Sequence, residues 1–250
     1  MDSYVKLHIE NSIGTIEFFH PQSNSLPSNI LNKIADTIKQ VSINDDIKVV
    51  ILKSGGDRVF CAGASFDELL AIKDSKSGKE FFSGFANVIN AARKCPKFII
   101  GRVQGKAVGG GVGIISATDY CFATKFAAVK LSELDLGIGP FVIGPAVEHK
   151  IGKSAFSSMA INARKWFDPI LMKEKGLYAE VFESTQEMDE SVKNISLILS
   201  KYNPEAMQEL KKIIWENTSE WDHLLSERAK MSGKLVLSKF TKDAISNIKK

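Results

Sequence analysis

The sequence predicts an α/β fold built on a parallel sheet. Three observations carry that prediction. Strand-like apolar runs alternate with amphipathic helical runs through the first half of the chain. One of the runs, 47–53, is almost continuously apolar, as strands buried on both faces are, and 98–103 is a further strand that feeds a glycine stretch. Glycine clusters, Gly55-Gly56 and Gly109-Gly110-Gly111, follow these runs where the chain must turn.

The elements follow in order. In residues 4–19, Val5, Leu7 and Ile9 alternate on one face and Ile16 and Phe18 on another, with Asn11-Ser12-Ile13-Gly14 between them, the pattern of a β-hairpin. His20-Pro21-Gln22-Ser23-Asn24-Ser25 is a loop, because Pro and the Asn/Ser cluster disfavour regular structure. Ile30, Leu31, Ile34, Ile38 and Val41 share one face of a helix from about Ser28, which Asn44-Asp45-Asp46 ends. After the 47–53 strand, the small-residue stretch Phe60 to Leu69 leads into a helix. Residues 72–80 are polar and read as an exposed loop or helix end. Phe81, Phe82, Phe85, Val88, Ile89 and Ala92 mark the next helix, which Cys95-Pro96 stops. Strand 98–103 feeds the glycine stretch, a helix runs from about Gly110 to Ala117, and 119–123 and 128–131 are short strands. A Gly/Pro-rich loop, Leu136 to Pro140, precedes a helix through Val142, Ala146 and Val147. From about residue 186 the chain reads as all-helical, with helical stripes Val192/Ile195/Leu199/Tyr202, Met207/Leu210/Ile214 and Trp221/Leu225/Arg228/Met231. Asn203-Pro204 supplies an N-cap and a first-turn proline. The predicted division is a core of 1–185 and a helical region of 186–250.

Composition narrows the function. The net charge of +4, part of it in the terminal Lys249-Lys250, is too small for a dedicated nucleic-acid binder. No apolar run is long enough to span a bilayer, and the first residues lack a signal pattern. Cys61, Cys95 and Cys121 are odd in number and form no CxxC pair, which suits a reducing, cytosolic setting. No spacing of metal ligands is present, so no metal is expected.

The stretch Gly105 to Ile115 carries the chemistry. A glycine turn that opens a helix presents free backbone N–H groups. Such a turn binds an anion, or an oxygen that becomes anionic during a reaction. The ordered set of motifs around it, Phe60-Cys61-Ala62-Gly63-Ala64-Ser65-Phe66-Asp67-Glu68-Leu69, Val103-Gln104-Gly105-Lys106-Ala107-Val108-Gly109-Gly110-Gly111, Ala117-Thr118-Asp119-Tyr120 and Lys130-Leu131-Ser132-Glu133-Leu134-Asp135-Leu136-Gly137-Ile138-Gly139-Pro140, together with the early His20 to Leu26 segment, resembles the crotonase superfamily of enoyl-CoA hydratases and isomerases.

The resemblance implies a spiral of ββα units with a C-terminal helical region that builds trimers or dimers of trimers. It implies an acyl-CoA thioester as substrate and no separate cofactor. By motif match, the thioester oxygen would be held by the N–H groups of Ala64 and Gly110. The loop Ala62, Ala64, Ser65, Phe66 and Asp67 would lie along the CoA moiety, with the Ala62 carbonyl near the adenine. Glu133 would be the acid/base.

Two departures matter. Hydratases of this family carry a second glutamate where this chain has Gly113. One carboxylate can shuttle a proton between two carbons, whereas water addition usually needs a second group. Phe141 follows Pro140 where small residues are common, and reads either as a wall of the acyl pocket or as a core aromatic. The implied function is therefore enoyl-CoA hydration or double-bond isomerisation. Other enolate chemistry, such as decarboxylation or thioester hydrolysis, and a CoA-binding protein with an incomplete catalytic pair are the alternatives. Asp119 reads as closing a turn, His20 as a loop residue and His149 as packing; Asp135 either modulates Glu133 or faces solvent. Cys61 has no histidine partner in sequence. Lys239, Phe240 and Lys242 resemble the region that contacts CoA from a neighbouring subunit, or form a solvated tail.

Overall fold

The hairpin opens the structure, a computed structural model that describes residues 2–249; Met1 and Lys250 lie outside it. Strands β1 (Tyr4–Glu10) and β2 (Ile13–Phe19) pair antiparallel, with Glu10 opposite Ile13. The two residues between them, Asn11 and Ser12, have φ of 51° and 61°. Left-handed values at both positions give the turn whose twist matches its strands.

From β2 onward the pairing is parallel. The large sheet contains β3 (Val49–Ser54), β5 (Phe98–Val103), β7 (Tyr120–Thr124) and β9 (Glu180–Phe182), in the order β1-β2-β3-β5-β7-β9. A second sheet contains β4 (Val59–Cys61), β6 (Lys106–Val108) and β8 (Val129–Lys130). Each of β3, β5 and β7 is thus followed by a short strand of the other sheet and then by helix: α2 (Phe66–Ala71) and α3 (Ser75–Lys94), α4 (Gly110–Ser116), and α5 (Gly144–Ile161). These are the repeated ββα turns of a spiral. Strands β4, β6, β9 and helix α6 (Pro169–Glu174) were not anticipated as regular elements, being too short to show a period.

The principal core fills the space between the two sheets and the inner faces of α3 and α1 (Ser28–Ser42), with Ile16, Phe18, Leu31, Ile34, Leu52, Val88 and Ile89 sealed from solvent. The far face of the large sheet buries Val49, Ile100 and Phe122 against Met188 and Val192 of α7 (Thr185–Leu199). The strands in 47–53 and 98–103 are therefore covered on both faces, as the apolar run of 47–53 predicts.

Residues 72–80 are largely exposed and span the loop before α3 and the end of that helix, as their polarity predicts. Helix α3 begins at Ser75, capped by Asp74, whose Oδ1 accepts from the Ser77 N–H at 2.7 Å. The inward position of this first turn is Gly78, which rests on Gly233 of α9 (Trp221–Leu235): a Cβ there would lie 2.6 Å from the Gly233 carbonyl oxygen. The buried face shows no apolar residue because glycine allows two helix backbones to touch.

Asp119 ties the spiral to the C-terminal helices. Its Oδ2 accepts from the Ile99 N–H at 2.7 Å and from Lys211 Nζ at 2.8 Å, and its Oδ1 accepts from Trp215 Nε1 at 2.7 Å. Lys211, on α8 (Pro204–Ile214), also donates to the Lys97 carbonyl. His149 stacks on Trp215 with ring centroids 4.9 Å apart. Asp119 and His149 thus hold the structural positions expected of them.

Candidate active site

Strands β4 and β6 are parallel neighbours, with Cys61 opposite Ala107. The chain leaves both side by side, as Ala62–Ala64 and Val108–Gly110. Gly63 has φ of 88°, and a Cβ on it would lie 2.9 Å from the Val108 carbonyl oxygen and 3.8 Å from the Gly110 nitrogen. Only glycine allows both the conformation and the approach. Ala64 forms a parallel bridge with Leu26, through Leu26 N–H to Gly63 O at 2.8 Å and Ser65 N–H to Leu26 O at 3.3 Å. Those bonds use the neighbours of Ala64, so its own N–H faces away from Leu26. Gly110 is the first residue of α4, where amides have no intrahelical acceptor.

Glu133 lies in the turn after β8. Its carbonyl accepts from Leu136 N–H at 3.2 Å and Ile138 N–H at 2.9 Å, which fixes the turn. Its Oε1 lies against Gly109, where a Cβ would come within 2.8 Å of it. The residue keeps some surface, but Oε2 is sealed from solvent and makes no hydrogen bond among the described residues. Burial of the charge pushes the carboxyl pKa up to about 7, against a smaller opposing effect of its own backbone amide.

These groups meet in a cavity of about 70 Å³. Ala62, Ala64, Phe66, Gly110, Glu133 and Phe141 all line it, so six of the expected residues come together. Ser65 and Asp67 do not line it. The Ser65 hydroxyl caps α2, accepting from Glu68 N–H, and Asp67 accepts from Gln22 Nε2 at 3.1 Å. Phe141 takes the pocket-wall role. Asp135 is held by Arg164 Nε at 2.8 Å. His20 Nδ1 is engaged by the Ser25 hydroxyl and the Gln22 N–H. The Cys61 thiol is buried, and burial pushes its pKa up to about 12, which makes it a poor nucleophile. The Phe240 ring lies over Gly137 of the same chain, where a Cβ would be 2.5 Å from its Cδ1, while Lys239 and Lys242 are exposed on α10 (Lys239–Lys249).

Sequence reasoning missed Ile143, and Ser232 from α9, both of which line the cavity. It placed Phe82 and Phe85 only as core residues; they too face the cavity, and a Cβ on Gly110 would lie 2.1 Å from Phe85 Cε1. Ile143 explains Gly113. A Cβ on Gly113 would lie 2.4 Å from Ile143 Cγ2, so the isoleucine fills the place where a glutamate side chain would start. Gly113→Ala is expected to lower stability by about 1–3 kcal/mol through overpacking, read as a shift of the urea midpoint. Among the described residues, Glu133 is the one ionisable side chain lining the cavity.

No helix among the described residues is long and apolar enough to cross a membrane. The family profile described as enoyl-CoA hydratase/isomerase matches residues 8–246. A probable enoyl-CoA hydratase of Bacillus subtilis is 24% identical over 245 residues, covering 96% of this chain and 93% of that protein. A peroxisomal Delta(3,5)-Delta(2,4)-dienoyl-CoA isomerase of Arabidopsis thaliana is 26% identical over 235 residues, covering 86% of this chain and 83% of the relative. The crystal structure of an enoyl-CoA hydratase from Bacillus halodurans superposes with a TM-score of 0.89 at 22% identity, covering 98% of this chain and 100% of that one. With a match over nearly the whole length and the ββα spiral in place, the chain belongs to the enoyl-CoA hydratase/isomerase family, within the crotonase superfamily.

Proposed function

We propose that the chain shifts a double bond along the acyl group of a CoA thioester, with Glu133 as the sole acid/base. The carrying observation is that Ile143 occupies the space beside Gly113, leaving the cavity one carboxylate and an apolar wall opposite. In this reading the thioester oxygen accepts hydrogen bonds from the N–H groups of Ala64 and Gly110. The Glu133 carboxylate takes a proton from the α-carbon of a 3-enoyl ester. The electron pair moves into a dienolate whose charge rests on the held oxygen, and Glu133 returns the proton at the γ-carbon, which leaves the double bond between the α- and β-carbons. Proton and electrons stay between substrate and carboxylate, so the step calls for no separate cofactor. A carboxyl pKa near 7 suits a group that must both take and give a proton near neutrality.

The Ala62–Asp67 segment would follow the CoA moiety, with the Ala62 carbonyl toward the adenine and Phe66 against the pantetheine end. A homotrimer or dimer of trimers fits the exposed apolar residues of α8, Leu210 at 51% and Ile213 at 66% exposure. Three buried, unpaired cysteines suit a reducing compartment such as the cytosol.

The test supplies 3-enoyl-CoA and 2-enoyl-CoA in deuterated water. Conversion of the 3-enoyl to the 2-enoyl ester, with deuterium appearing at the γ-carbon, is the expected outcome. Hydration of the 2-enoyl ester at a comparable rate would replace this reading with the hydratase one. Malonyl-type and saturated esters in the same panel separate decarboxylation and hydrolysis. Tight CoA binding without turnover of any ester would leave a binding protein.

A further inference from the structure

Helix α9 brings one polar group into the cavity that the proposed reaction does not use. Ser232 is buried and lines the cavity, yet among the described residues its hydroxyl makes no hydrogen bond. Apart from Ser132 and Glu133 the side chains around it are apolar, and a hydroxyl facing such walls is unfavourable until something bonds to it. The next residue, Gly233, fixes its position: a Cβ on Gly233 would lie 2.4 Å from the Lys79 nitrogen, so α9 and α3 touch backbone to backbone at this point. Phe82 lies one turn along α3 from Gly78 and Phe85 about one turn further, where its ring meets the Gly110 turn. From Gly78 to Phe85 the helix advances about 10 Å. Ser232 therefore enters the cavity beside the Gly78 end of α3, whereas the Phe85 ring meets the Gly110 turn from further along that helix.

We propose that Ser232 is a specificity-determining residue that hydrogen-bonds a polar substituent, such as a hydroxyl, at the distal end of the acyl group. This rests on the reading of the cavity as the acyl site, but not on which reaction Glu133 performs. The substrate class it implies is an acyl-CoA functionalised several carbons from the thioester, rather than a plain hydrocarbon ester. The hydroxyl comes from the same chain as Glu133, so one protomer supplies both ends of the site.

The test measures binding of two saturated esters, hexanoyl-CoA and 6-hydroxyhexanoyl-CoA, by calorimetry. Neither can isomerise or hydrate, so the result is independent of the reaction assigned above. The wild type is expected to bind the hydroxylated ester about fivefold more tightly, the worth of one neutral hydrogen bond. In Ser232→Ala the ratio should fall to about one. Ser232→Cys, which fills the space with a much weaker donor, should lower it similarly, and circular dichroism checks that both variants fold. A wild type with no preference, or a preference that survives in both variants, would overturn the proposal. Failure of both esters to bind would instead count against the cavity as an acyl site, and with it against this proposal.

Discussion

Glu133→Gln is expected to lower kcat on enoyl-CoA esters by about 10²–10⁴, the usual worth of a positioned acid/base. The amide has nearly the same shape and cannot carry the proton, so substrate binding should change far less than turnover. In the wild type, kcat/KM should rise with pH through about 7, as the buried carboxyl becomes the carboxylate that starts the reaction. The same variant should be more stable than the wild type at pH 8. The ordinary carboxyl value is 4.5, and burial pushes it to about 7 in the folded state. Between those values the folded chain keeps a proton that the unfolded chain releases, so stability falls as pH rises. Above about 7 both states are ionised and the full penalty applies, at most roughly 3 kcal/mol. Glutamine stays neutral and escapes it. Thermal melts at pH 4 and pH 8 check the sign: the two proteins should differ little at the lower pH and separate at the higher. An inactive variant that is also less stable at pH 8 would place the loss in folding rather than in chemistry.

Asp119→Ala is expected to cost about 3–5 kcal/mol of stability, because it leaves a buried ammonium unpaired. The Lys211 and Asp119 side chains are 2% and 3% exposed, and the same carboxylate holds the Ile99 amide and the Trp215 indole. The loss appears as a lowered urea midpoint. Asp119 does not line the cavity, so turnover per folded molecule should be retained at low temperature. Replacing both partners, Asp119→Ala with Lys211→Met, should be less harmful than the sum of the single changes, since no charge is then stranded. Additive losses would show that the pair itself contributes little.

The parts of this structure legible in the sequence were those that announce themselves locally. Strand 47–53 showed its double-sided burial in a nearly continuous apolar run, and the α1 face showed in Ile30, Leu31, Ile34, Ile38 and Val41. The glycine turn and Glu133 were visible because their spacing matches a family pattern, and the structure brings them to one cavity. What stayed hidden depends on contacts between distant segments. The first turn of α3 buries a glycine, which gives no apolar signal. Lys211 looks like a surface lysine of an amphipathic helix until Asp119 is placed beside it. Gly113 showed that a carboxylate was absent, but nothing nearby indicated that Ile143 fills the space. Ser232 carries no motif and reaches the site only through the crossing of α3 and α9.

The large sheet is also ordered in the sense in which the chain is made. From β2 to β9 each new strand joins the edge left by its predecessor in that sheet, with the short strands of the second sheet formed between. A nascent chain emerging N-terminus first therefore never has to insert a strand between two that are already paired. Helix α9 is among the last pieces to emerge, and it lies across α3 with Ser232 on the cavity. The pocket is thus roofed after its walls stand. The hydroxyl of Ser232 joins the cavity only after the strands and turns that carry Ala64, Gly110 and Glu133 have been made.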